Sequence, residues 1–155
     1  MNRWIFIFIA FLFLFTLIQC NDEPCDSVLE TSVGISFHII DTNDVQQSVS
    51  LSLLSVYALE NDSIFADSLG NVSQITIPLD PSRESCIYVL DADSLQDTLT
   101  FLYDSDVEFV SQDCGFKSTF ELNSVNHTYH FIDSVNIIQT TVNSTDANNL
   151  EIFLF

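Results

Sequence analysis

His127 and His130 form the segment "HTYH", and two histidines three residues apart can hold a metal when a third donor converges on them. The spacing carries a condition: in an extended strand residues i and i+3 point to opposite faces, so the pair acts together only on a turn or helix. "DADS" and "DSD" offer closely spaced carboxylates, but neither has the alternating acids, central glycine and distant Glu of an EF-hand loop. Ordinary turn aspartates are the expectation, and no metal or cofactor is assigned. Nucleophilic catalysis would need a Ser or Cys beside a histidine and an orienting acid, and no spacing here singles one out. There is no G-x-S-x-G elbow and no H-E-x-x-H, and with Gly34, Gly70 and Gly115 as the only glycines there is no loop to cradle a phosphate. Lys117, the sole lysine, alternates with Phe116 and Ser118, as on an outward strand face beside a carboxylate. No residue is given a catalytic role, and a non-enzymatic protein is expected.

The four cysteines, Cys20, Cys25, Cys86 and Cys114, carry a stronger signal. In "LFTLIQCNDEPC", Cys20 closely follows an almost wholly apolar block, Trp4 to Ile18, which Arg3 precedes and Gln19 ends. At 1.5 Å per residue the block covers about 22 Å as a helix, short of the roughly 30 Å hydrocarbon layer. Residues 1–19 therefore read as a signal peptide rather than a spanning helix, and the rest is expected outside the cytoplasm. The block stops one residue before the thiol and no A-x-A-like site follows, as in bacterial lipoprotein signals, although Gln19 stands where Gly, Ala or Ser is usual. Cys20 is the expected lipid attachment point; the alternative is cleavage elsewhere, leaving Cys20 to pair downstream. Several palmitate-class chains, at about 0.8 kcal/mol per buried methylene, would anchor such a protein durably in a membrane.

With Cys20 acylated, three thiols remain. Cys25 and Cys114 sit among turn-like polar residues, whereas Cys86 lies in the apolar run "CIYVL". A buried free cysteine behaves as a small hydrophobe, so Cys86 is assigned to the core and a disulfide is expected between Cys25 and Cys114.

Charge narrows the partners. The net charge is −19, and beyond Cys20 only Arg83 and Lys117 oppose 22 acidic residues. Nucleic acid is excluded as a partner, because no basic patch can replace the counterions of a phosphate backbone. The acidity itself reads as a solvated surface that keeps the protein soluble.

The elements that must position these residues read as strands. "VGISFHII" places Val33, Ile35, Phe37 and Ile39 on one face; "SVSLSLLSVYAL" does the same with Val49, Leu51 and Leu53 before Leu54 and Val56 blur it. "QITIPL" alternates too, with Pro78 marking an edge or an end, and "SCIYVL" is apolar enough to be covered on both faces. "DTLTFLY", "VEFVS", "FKSTFEL", "SVNIIQTTV" and "NLEIFLF" complete nine candidates. Between them lie polar turns such as "DTND", "SLGN", "DADSLQ", "DSD", "QDCG" and "NSVNH". The best helical candidate, "LENDSIFADSLG", is short. The expectation is an all-β fold: an acidic tether at 20–32, then one antiparallel β-sandwich over 33–155, Ig-like in appearance, with eight or nine strands.

At "DTLTFLYDSDVEFVSQDCGFKSTFEL" the chain resembles a family of small Bacteroidota envelope lipoproteins of unknown function. The likeness runs through Cys20 and Cys25, Asp62 to Asp80, Asp97 to Tyr103, Cys114 to Leu122 and the final "NLEIFLF", with "CGFK" its most specific part. It implies a β-rich envelope lipoprotein, lipidation at Cys20 and structural roles for Cys25 and Cys114. It supplies no catalytic residues. "NDEP" after Cys20 resembles the acidic signals that send some such lipoproteins to the outer face of the outer membrane.

Asp, then Ser or Thr, then an aliphatic residue recurs six times, with hydroxyls at Ser27, Ser63, Ser68, Ser94, Thr98 and Ser134. The pattern is like the O-glycosylation acceptor of Bacteroidota envelope proteins; the competing reading is a repeated turn-to-strand junction in which both polar side chains bond local backbone. The functional expectation is an outer-membrane lipoprotein, periplasmic or surface-exposed, that serves as a binding or structural module, with an envelope protein or a glycan as the partner where it binds. A secreted hydrolase with an unrecognised site and a calcium-assisted adhesion module are the alternatives.

Overall fold

The structure, a computed structural model, describes residues 25, 31–59, 63–143 and 147–155. The signal segment 1–19, Cys20, Ser27 and most of the tether lie outside the described residues. Eleven strands are described: β1 (Ser32–Ile40), β2 (Gln46–Ser48), β3 (Leu51–Ala58), β4 (Ser63–Val72), β5 (Gln74–Pro78), β6 (Ser85–Ala92), β7 (Leu95–Ser111), β8 (Gly115–His127), β9 (Ile132–Ile137), β10 (Thr141–Val142) and β11 (Asn148–Leu154). They form two sheets. One runs β2-β1-β11-β9, with β5 sharing β1's free edge beside β2; the other runs β10-β8-β7-β6-β3-β4.

Two-residue alternation builds the interior. Val33, Ile35 and Phe37 of β1, Ile75 and Ile77 of β5, and Leu150 and Ile152 of β11 face Leu54, Val56, Leu90, Leu99, Phe101 and Tyr103 of the other sheet in one core. Tyr88, Val89 and Leu90 are all buried, because β6 lies between β3 and β7 at the centre of its sheet. Burial would strand two phenolic hydroxyls, but each finds a carbonyl on the crossover between the sheets. Tyr88 donates to Pro78 over 2.7 Å and Tyr103 to Asp80 over 2.9 Å. Pro78 closes β5, which pairs with β1 alone. The β6–β7 hairpin turns on Asp93 (φ 50°) and Ser94 (φ 73°), the two left-handed residues that a type I′ turn requires.

Several expectations need correction. β1 and β11, the first and last strands, pair in parallel, so the sandwich is not wholly antiparallel. Strands linked through a whole domain rather than a hairpin are free to run either way. The strand count exceeds eight or nine because β2 and β10, three and two residues long, are too short to show a period. "SVNIIQTTV" divides between the sheets as β9 and β10. The described part of "LENDSIFADSLG" beyond residue 62 is no helix: "SIFADSLG" lies in β4, hydrogen-bonded to β3, with left-handed backbone at Ser68 and at the following Asn71. "DSD" is not a turn but the middle of β7, which joins "DTLTFLY" to "VEFVS", and "NSVNH" belongs to β8. Leu53 is exposed, because the doubled Leu53-Leu54 shifts the strand's phase and hands the core to Leu54 and Val56.

β7 and β8 also outrun the sandwich. β6 leaves β7 at Leu102 and β10 leaves β8 at Phe120, so beyond them the two strands continue as a two-stranded arm among the described residues. Asp104 through Phe109 are exposed on both faces. At its tip Cys114 is disulfide-bonded to Cys25.

Candidate functional site

Three groupings of side chains invite a functional reading. The first joins Asp97 to the "HTYH" loop. Alternation with Leu99, Phe101 and Tyr103 turns Asp97 inward, and its carboxylate is buried. It accepts from the Thr128 hydroxyl (2.6 Å), the backbone N–H groups of His130, Phe131 and Ile132 (2.8 to 3.0 Å) and the His130 ring Nδ1 (2.9 Å). Burial alone would raise its pKa, but the Thr128 hydroxyl and the three backbone N–H groups overcome it and hold the carboxyl near 2. His127 turns elsewhere: its ring packs on Tyr129, with centroids 4.4 Å apart, and its Nδ1 meets the Thr128 carbonyl. The two histidines therefore do not converge. Asp97 and His130 have the geometry of an acid orienting an imidazole, yet no described hydroxyl or thiol bonds the outer ring nitrogen.

The second grouping is Ser36, His38 and Glu151 on β1 and β11. The Ser36 Oγ lies 2.9 Å from His38 Nε2, and Glu151 approaches the same nitrogen at 3.8 Å. In a relay the acid must hold the opposite nitrogen, but His38 Nδ1 is buried without a partner. Ser36 is itself committed, donating to the Leu150 carbonyl (3.4 Å) and accepting from the Asn148 amide (2.9 Å). This is a polar seam stitching two strands.

The third is a cleft of about 490 Å³ at the side of the sandwich, between edge strands β4 and β5. Ile35, Val56 and Ile75 form its apolar depth, Phe65 and Leu69 its wall, and Gln74, Thr76 and Asn148 its polar rim. Phe65 and Leu69 remain 45% and 39% exposed. Among the described residues, no Asp, Glu, His, Lys or Arg lines the cleft. In a chain of net charge −19, the described lining is uncharged. Its shape depends on Gly34: a Cβ there would lie 1.9 Å from the Ala147 carbonyl oxygen. The register slips at the same place, leaving Asn149 as an extra residue whose buried Oδ1 accepts the Gly34 N–H at 3.1 Å. Its amide donates to the Gln139 and Thr141 carbonyls.

The remaining singled-out residues fall outside these groupings. Cys86 is a free thiol packed against the core, and burial pushes its pKa up to about 11. Lys117 meets Glu108 at 3.4 Å and the Asn143 carbonyl at 3.3 Å. Of the six Asp-Ser/Thr-aliphatic hydroxyls, Ser68, Ser94 and Ser134 are exposed, Thr98 is half-buried and Ser63 lies in β4. Ser68 bonds Asp67 at 2.9 Å, as a local junction would. Among the described residues no three His, Cys, Asp or Glu side chains gather as metal donors.

Composition and periodicity did not single out Asp97 and Asn149. Asp97 was legible in principle, since it stands in phase with Leu99 and Phe101. Asn149 was not, because its role follows from a register slip. The pattern of a family described as of unknown function, DUF6452, matches residues 53–154. No curated protein and no solved structure matches the chain.

Proposed function

The chain belongs to DUF6452, a family of unknown function, and we propose that it is a non-enzymatic envelope lipoprotein, anchored through Cys20, whose cleft binds a neutral glycan. The observation that carries the binding half is Phe65 on the wall of a cleft whose described lining holds no charged side chain. A sugar ring presents an apolar face to an aromatic side chain and hydroxyls to amides, which Gln74 and Asn148 supply at the rim. An anionic ligand would be repelled by the surrounding acid.

The anchoring half is supported by the cysteines. Cys25 is used in the disulfide and Cys86 is packed against the core, so Cys20 is the thiol left over at the signal boundary. The disulfide suits an oxidising compartment, and the acidic "NDEP" suits outer-membrane display. The non-enzymatic reading draws on the two histidine groupings, each lacking one member of a relay among the described residues. We also propose Ser68, Ser94 and Ser134 as the accessible O-glycan acceptors.

The test is calorimetric titration of the purified protein with neutral oligosaccharides. Binding that Phe65→Ala weakens by about tenfold, roughly 1.4 kcal/mol, with an unchanged melting temperature, supports the reading. Equal binding by both proteins, or none by either, overturns it.

A further inference from the structure

We propose that the β7–β8 arm is the membrane-facing end of the anchored protein, with Phe109 and Phe116 resting in the interfacial layer of the bilayer that holds the lipid. The inference rests on acylation of Cys20.

Reach is the first argument. Cys25 is bonded to Cys114 at the tip of the arm, and Cys20 precedes it by five residues. Five residues span at most about 18 Å when fully extended, so the tip is leashed within that distance of the acylated residue. The sandwich begins only at the other end of the arm, where Ser105 pairs with Phe120, about 20 Å further on for six residues of strand.

The tip also exposes large apolar side chains. Val107, Phe109 and Phe116 are 63%, 57% and 64% exposed. Val107 and Phe109 alternate onto one face of β7, Phe109 pairs directly with Phe116, and the two rings lie 5.3 Å apart. The opposite face of the same strand carries Asp106 and Glu108, the latter partly offset by Lys117 at 3.4 Å. One face of the arm suits the acyl boundary and the other suits water, the division by which interfacial segments lie at a bilayer surface. The acidic face limits the depth. The aromatic pair settles at the interface while the sandwich, and its cleft, are held clear of the headgroups.

Trp4, the only tryptophan, leaves with the signal peptide, so one introduced Trp reports one place. Phe116→Trp and Phe109→Trp probe the tip; Leu95→Trp, half-exposed at the other end of β7, is the distant control. Each full-length chain is purified from membranes with its lipid and placed in phosphatidylcholine vesicles whose acyl chains carry bromine. We expect both tip probes to be quenched at least about twofold more than the Leu95→Trp probe, and the difference to vanish in Cys25→Ser, which lengthens the leash. Equal quenching of tip and control, with intact mass showing acyl chains on Cys20, overturns the inference and leaves the anchor standing. Tip emission unchanged by vesicles overturns it in the same way, by showing the tip covered by the chain itself. An intact mass without acyl chains on Cys20 overturns the anchor and this inference together.

Discussion

His130 gives both its backbone N–H and its ring Nδ1–H to the carboxylate of Asp97, 33 residues earlier in the chain. A buried aspartate in place of a core hydrophobe looks like a defect until its partners are counted: one carboxylate accepts three successive backbone N–H groups, those of His130, Phe131 and Ile132, where the turn from β8 enters β9. Asp97→Ala would leave those N–H groups without acceptors. At about 1 to 3 kcal/mol for each buried unsatisfied group, the variant should lose at least about 3 kcal/mol in urea unfolding, and Asp97→Asn somewhat less.

The same carboxylate sets an acid sensitivity. Its pKa falls from 3.8 to about 2 on folding, so the unfolded chain takes up the proton first. The stabilisation is present above pH 4 and lost as pH falls from about 4 to about 2. At about 1.4 kcal/mol per pKa unit the loss is about 2 kcal/mol. Denaturation midpoints measured between pH 2 and pH 6 should show that slope in the native protein and a smaller one in Asp97→Ala.

Much of the fold could be read directly from alternation: the inward rows of β1, β5, β7 and β11 are the rows that the sequence displays. What escaped detection was set by contacts distant in sequence. The parallel pairing of β1 with β11 joins residues more than a hundred positions apart, and the bulges that break β3's pairing with β4 between Leu54 and Tyr57 leave no mark in the alternation. The arm was hidden because "DSD", exposed on both faces of β7, has the composition of a turn. The cleft belongs to no single segment: Phe65, Ile75 and Gly34 meet only when the two sheet edges face each other.

Gly34 and Asn149 should prove intolerant. Gly34→Ala drives a methyl against the Ala147 carbonyl, and backbone on both sides must shift. Asn149→Leu leaves the Gly34 N–H and two carbonyls unpaired in a fully buried position, a loss of at least about 2 kcal/mol. Thermal unfolding of the two variants against the native protein measures both, and Gln74→Ala, at the exposed rim, should change little.

Removing the disulfide should destabilise the domain while leaving its sheets intact. Cys25 and Cys114 are separated by 89 residues, and closing a loop of that length restricts the unfolded chain by about 4 to 5 kcal/mol on the chain-entropy account. Cys114→Ser should lower the urea midpoint accordingly, with an unchanged far-ultraviolet spectrum. A stability equal to that of the native protein would show that the staple does not constrain the unfolded ensemble.

The most direct test of the whole account is the intact mass and first residue of the mature protein extracted from the producing cell's membranes, with free thiols alkylated after denaturation. The account predicts a chain that starts at Cys20, carries acyl chains on that residue, retains the Cys25–Cys114 bridge and alkylates once, at Cys86. A mature chain that starts elsewhere, or one in which Cys20 is joined to another cysteine, would contradict it.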